Sequence, residues 1–192
     1  MKEISDRRSI RKYKEDAVNK ADIEIILKAG ILAPSAKNRQ PWKYYVYAGS
    51  EKNKLLECME IGLVRERDGN KLLPNSQNGL PDAFNTLRIM KEAPILIIIE
   101  NTNGLYPYSE IDADNRVTEI CDTLSIGASV QNILLTATEL GYGTLWIANT
   151  CFAYDELVNF IDIIAPLLRN SFVSYYRLYR VIFAQLDGKC IA

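Results

Sequence analysis

The chain has 192 residues, 48% of them apolar and 24% charged, the balance of a soluble globular protein of one ordinary domain. A formal net charge of -1 excludes a general attraction to nucleic acid or to anionic membrane. Histidine is absent, which excludes Ser-His-Asp and Cys-His nucleophiles and histidine-based metal sites.

The longest apolar run is far below the roughly 20 residues of a membrane helix, and the start, MKEISDRRSI, has no apolar signal core. The four cysteines, Cys58, Cys121, Cys151 and Cys190, include no C-x-x-C pair. A cytoplasmic protein with reduced thiols, no metal site and no membrane or nucleic-acid partner is expected.

In chain order, Asn19 can cap a helix over NKADIEIILKAGILAP, in which Ile23, Ile26, Leu27 and Ile31 recur at helical spacing and which Pro34 stops. YYVYA (44–48) suits a strand. A second helix is expected from Ser50 to about Gly62, then a long polar loop over 65–82 and a short helix over AFNTLRIMKE. Ile95–Ile99, five consecutive apolar residues, suit a strand covered on both faces. After another loop, 118–140 reads as the longest helix, with Ile120, Leu124, Ala128, Leu134 and Ala137 as its apolar stripe and Gly141 closing it. GTLWIA is a strand, YDELVNFIDII a helix and YRLYRVIFAQL a last strand. The order predicts one α+β domain over 1–192, a mixed central sheet flanked by helices.

Four stretches carry chemistry. RRSIRKY (7–13) gathers Arg7, Arg8, Arg11 and Lys12 around Ser9; guanidinium forks with a hydroxyl suit a phosphate, and a solvated basic turn is the plainer alternative. If that stretch is helical or a tight turn, Arg7 and Arg11 share a face. APSAKNRQPW (33–42) offers Ser35, Asn38 and Gln40 between two prolines, for reading a polar ring or polyol or for satisfying its own backbone. Gln131 and Asn132 interrupt an apolar helix near the small residues Gly127, Ala128 and Ser129, which suit a close helix–helix seam. GYGTLWIA (141–148) lacks the third glycine of a dinucleotide fingerprint and follows a helix where that motif follows a strand.

Together, in this order and spacing, RRSIRKY, APSAKNRQPW and GASVQNILLTATELGYGTLWIA resemble the nitroreductase family over roughly residues 4–160. The resemblance implies an α+β homodimer that binds flavin mononucleotide (FMN), takes electrons from NAD(P)H and passes them by ping-pong turnover to a small-molecule electron acceptor such as a nitroaromatic or quinone. The flavin carries the chemistry, so no catalytic side chain is expected. Carried over position by position, Arg7, Arg8 and Ser9 match contacts to the FMN phosphate and ribityl chain, and Arg11 a basic residue near the flavin N1/O2 edge. Pro34, Ser35, Ala36, Asn38 and Gln40 match the loop that reaches the flavin from the other subunit. Trp146, Ile147 and Ala148 match backbone lying against the isoalloxazine ring. Residues 163–192 depart from the family pattern; Lys189 or Arg180 is a candidate for a missing basic phosphate contact, and Asn70 for a missing amide contact. A flavin-binding storage or sensor module without turnover is the alternative.

Overall fold

Strand β2 (Ile95–Asn101) is buried along its whole length, and the rest of the fold is arranged to cover it. The computed structural model describes residues 2–164 and 177–185. Strands β1 (Trp42–Ala48), β2, β3 (Tyr142–Ile147) and β4 (Arg177–Gln185) form one sheet in the order β1-β2-β4-β3. All three strand pairs are antiparallel, and the parallel component is a single bridge from Ser9 to Thr144 on the outer edge of β3. The expected α+β class is what the chain adopts.

The two-residue period of β2 sorts its side chains onto two faces. Ile95, Ile97 and Ile99 pack with Ile26 of helix α2 (Lys20–Ile31) and with Ile126, Val130 and Ile133 of helix α5 (Ala113–Glu139). Leu96 and Ile98 meet Leu55, Met59 and Leu63 of helix α3 (Gly49–Arg67), Leu87 and Met90 of helix α4 (Leu80–Glu92) and Leu157 of helix α6 (Tyr154–Ile164). Each fully buried Leu or Ile contributes about 1.5–3 kcal/mol, so a three-layer sandwich holds the sheet from both sides. A short helix, α1 (Lys2–Asp6), begins the described chain.

Local signals explain most boundaries. The Asn19 side chain accepts from the Ala21 N–H at 2.9 Å and starts α2. Gly141 adopts φ +83° and turns the end of α5 into β3. Three expectations are corrected. Helix α3 does not stop at Gly62 but runs to Arg67, because Gly62 serves close packing: a Cβ there would lie 2.4 Å from the Ala153 Cβ. The polar loop therefore shrinks to about 68–79, and α4 begins at Leu80 with Pro81 in its first turn. Helix α5 starts at Ala113, five residues earlier than its apolar pattern, because Asp112 Oδ1 accepts from the Asn115 N–H at 2.8 Å.

The stripe on α5 also divides. Leu134 and Ala137 are buried, whereas Ile120 and Leu124 are 52% and 69% exposed. Leu134 follows Leu124 by ten residues, about 1000° of helical turn, some 80° short of three full turns. The two belong to different faces.

Candidate functional site

The basic segment leaves α1 and runs beside β3. The Ile10 N–H donates to Thr144 O at 2.9 Å, next to the Ser9–Thr144 bridge. Its backbone bonding goes to a strand, so Arg7 and Arg11 do not share a helical face. Tyr13 packs against the core, and its hydroxyl donates to Ile10 O at 2.7 Å, pinning the segment from behind. Burial pushes the Tyr13 phenol well above its ordinary range, so it remains a donor. The Arg8 guanidinium donates to Ser5 O and Arg7 O, and that of Arg11 to Ser9 O at 3.2 Å. Among the described residues none of Arg7, Arg8 and Arg11 has a carboxylate partner. A row of guanidiniums in surplus, with the exposed Ser9 among them, fits an anionic group.

The exit of β3 lies alongside. Ile147 is 2% exposed and packs into the α3/α4/α6 side of the core, which leaves only its backbone for a ligand. Trp146 faces the other way: its ring lies 3.9 Å from where a Cβ on Gly127 of α5 would stand, and it is 44% exposed. Ala148 is exposed. Asn149 Nδ2 then donates to Asp82 Oδ2 at 3.1 Å and Thr86 Oγ1 at 3.2 Å, fastening the strand exit to α4.

The polar loop sits at the other edge of the sheet. Lys37, Asn38 and Gln40 adopt φ of 54°, 53° and 48°, each costing a non-glycine residue on the order of 1 kcal/mol. Bracing bonds offset that cost. The Gln40 N–H donates to Ser35 Oγ at 2.9 Å, the Asn38 N–H to Ser35 O at 2.9 Å and the Ala36 N–H to Ser125 Oγ of α5 at 3.1 Å. Arg39 donates to Asp122 Oδ1 through Nε at 3.0 Å and Nη2 at 2.7 Å. These hydrogen bonds to Asp122 hold the guanidinium above even its usual high range. Ser35 is thus a brace whose hydroxyl hydrogen remains available, Ala36 spends its N–H on the helix, and Pro34, Asn38 and Gln40 are exposed.

Arg39, Asp122 and Ser125 were not among the residues expected from the sequence. Their signal was present: Asp122, Ser125 and Ser129 recur at intervals of three and four, a polar stripe on the buried face of an apolar helix. Ser129 bonds the Tyr44 hydroxyl, and Asn132 Nδ2 reaches Ala29 O at 3.0 Å, so these polar groups fix α5 against β1 and α2.

One chain does not bring the three stretches together. The basic segment and the β3 exit adjoin, but β1 and β3 are opposite edges of the sheet, three strand spacings or about 14 Å apart. Helix α5 stands between, holding the polar loop through Asp122 and Ser125 and Trp146 over Gly127. Asn70 lies just after α3, where its carbonyl accepts from Arg65 Nη1 at 2.8 Å. Arg180 sits on β4 in register with Ile98 and Ile147, and Lys189 lies outside the described residues, as does most of the departing stretch 163–192.

The architecture is a three-layer α+β sandwich with a cation-rich edge, and its family is clear. The chain belongs to the nitroreductase family, whose model matches residues 4–164. A relative from Archaeoglobus fulgidus, named as a candidate NADH dehydrogenase/NAD(P)H nitroreductase, is 32% identical over 148 residues, which are 77% of this chain and 66% of that protein. The candidate NAD(P)H nitroreductase YdjA of Escherichia coli K12 is 22% identical over 88% of each chain. Among solved structures, the FMN-dependent nitroreductase NfnB of Mycobacterium smegmatis in complex with NADPH superposes with TM-score 0.70 at 18% identity, covering 97% of this chain and 86% of its own. A nitroreductase with bound FMN from Desulfitobacterium hafniense does so with TM-score 0.69 at 22% identity, covering 98% and 89%. At these identities the structures establish the fold.

Proposed function

We propose that the chain is an FMN-dependent oxidoreductase that takes electrons from NAD(P)H and passes them to nitroaromatics, quinones or similar conjugated acceptors, donor and acceptor taking turns at one exposed face. The observation that carries this reading is the row of guanidiniums beside β3 of a nitroreductase-family chain, none of which has a carboxylate partner among the described residues. The FMN of the Desulfitobacterium structure and the NADPH of the Mycobacterium structure indicate the ligands that such a scaffold takes. When bound, FMN supplies the hydride and electron chemistry.

The residues of the chain bind and orient. Arg7, Arg8 and Ser9 hold the phosphate and ribityl oxygens with charge-assisted bonds. Arg11 sets a positive charge at the N1/O2 edge. Trp146, Ile147 and Ala148 offer the ring a strand backbone. Pro34, Ser35, Ala36, Asn38 and Gln40 close the site from a second copy, since within one chain that loop lies on the far edge of the sheet. Val117, Ile120 and Leu124, 60%, 52% and 69% exposed, give α5 an apolar outer stripe for that homodimer.

Purified protein incubated with FMN and then given NADH or NADPH without oxygen tests the reading. Loss of the flavin's visible absorbance with either nucleotide is expected. Bound flavin that stays oxidised with both would leave a storage or sensor module, and no uptake of FMN would remove the flavin site altogether.

A further inference from the structure

Asp122 is 1% exposed, yet it carries a charge in the middle of the longest helix. Both its oxygens are engaged at one end of the sheet. Oδ1 takes Nε and Nη2 of Arg39, and Oδ2 takes Asn103 Nδ2 at 3.1 Å. Asn103 belongs to the turn after β2, where its N–H donates to Asn101 Oδ1 at 3.1 Å. The Thr102 N–H, beside it, donates to Pro41 O at 3.0 Å. One carboxylate therefore ties together the turn that leaves β2 and the loop that enters β1. One turn along α5, Ser125 repeats the device: its hydroxyl donates to Cys121 O at 2.7 Å and accepts from the Ala36 N–H.

A buried ion pair is a poor way to gain stability, since apolar side chains of similar volume serve a core as well. What an arginine fork on a fixed carboxylate does provide is direction. Arg39 lies between Asn38 and Gln40, two of the three residues held in left-handed conformations. A loop of ordinary residues does not stay in that conformation unless its surroundings over-determine it.

The geometry points to Asp122 as a positioning residue of the FMN site, which acts through Arg39 to hold the left-handed loop in its binding shape. This rests on the flavin reading above. Asp122 touches no ligand. It sets the fraction of molecules whose loop is ready to bind, and the apparent dissociation constant rises as that fraction falls. A carboxylate with this task leaves a kinetic mark. A loop that is seldom ready slows association and leaves dissociation alone. Simple electrostatics has the opposite sign, because removing a negative charge beside the path of an anion speeds association.

Stopped-flow binding of FMN to the apoprotein, followed by flavin fluorescence, separates the two. Asp122→Asn is expected to slow association about tenfold, as when the ready fraction falls to about a tenth, with dissociation unchanged. Arg39→Lys keeps the charge but loses the fork, and is expected to match it. The double variant should be no slower than either single one, since both changes break one link. Association in Asp122→Asn as fast as wild type, or a double variant that loses the product of the two effects, would overturn the proposal. Should circular dichroism show Asp122→Asn unfolded, Arg39→Lys, changed at a partly exposed side chain, decides alone: wild-type association would overturn it. Wild-type apoprotein that takes up no FMN would bring down the flavin reading and this proposal together, whereas normal wild-type binding with unaffected variants removes only the role of Asp122.

Discussion

Replacing Arg65 with alanine should be among the most costly single changes in this chain. Arg65 leaves the last turn of α3 and fills the seam with α6. It donates to Glu156 Oε1 at 2.6 Å and Oε2 at 3.3 Å, to Glu66 Oε1 at 2.9 Å, to Asn70 O at 2.8 Å and to Phe152 O at 3.1 Å. Glu66 is 0% exposed. Burial by itself would raise its pKa, but the Leu72 N–H and the Arg65 guanidinium outweigh burial and hold the carboxyl below its ordinary 4.5. Removing one partner of a buried ion pair costs about 3–5 kcal/mol. In a chain of this size that lowers Tm by about 6–20 °C, at roughly 2–4 °C per kcal/mol.

The pH dependence carries the sign. In the wild type the folded pKa of Glu66 is depressed, so its contribution is complete above the unfolded value and is lost only as pH falls through the folded one. In Arg65→Ala the guanidinium no longer helps to lower the carboxyl, so the folded pKa rises relative to the wild type. The penalty is then largest near neutrality and shrinks as acid protonates the carboxyl. Urea denaturation of both proteins near pH 7 and near pH 5 should show the stability gap narrowing in acid. A gap under about 1 kcal/mol, the scale of a surface pair, or a gap equal at both pH values would refute the reasoning. Because Phe152 and Glu156 follow closely on Ala148, the same knot steadies the β3 exit.

Arg7→Ala should raise the Kd for FMN about 10- to 100-fold, since a hydrogen bond to a charged group is worth about 1.5–3 kcal/mol; unchanged affinity in a fluorescence titration would take Arg7 out of the site. Arg11→Ala should lower the midpoint potential of bound FMN more than it weakens binding, and a potential equal to wild type would count against a tuning role. Gly62→Ala would set its Cβ 2.5 Å from the Ala153 Cα, backbone that cannot swing aside. It should cost about 1–3 kcal/mol or more, where an unobstructed helical glycine would gain about 1 kcal/mol from alanine; a raised Tm would show that the seam has room.

Much of this layout is legible in one dimension because its causes are local. The Asn19 cap, the unbroken apolar run of β2 and the glycine after α5 each act within a few residues. RRSIRKY and GYGTLWIA stand out in the sequence as separate stretches, and their adjacency through the Ser9–Thr144 bridge is visible only in the fold. What escaped depends on distant partners. Gly62 resembles a helix stop until Ala153 stands over it. Arg39 looks like a solvated loop cation until Asp122, 83 residues on, is found inside its fork. Helix α5 hid two features behind one apolar pattern: a polar face that braces the loop, and an outer stripe that the core does not cover.

In the proposed dimer two chains share each flavin site, the basic segment coming from one and the polar loop from the other. Mixing two defective variants shows whether the site is shared. One carries Arg7→Ala with Arg8→Ala, the other Ser35→Ala with Asn38→Ala, and each alone should retain little FMN. If the site is shared, subunit exchange builds a mixed dimer with one intact site, and FMN binding returns in the mixture. If both halves of each site came from the same chain, every site in the mixture would still carry a lesion, and FMN binding would stay at the level of the separate variants.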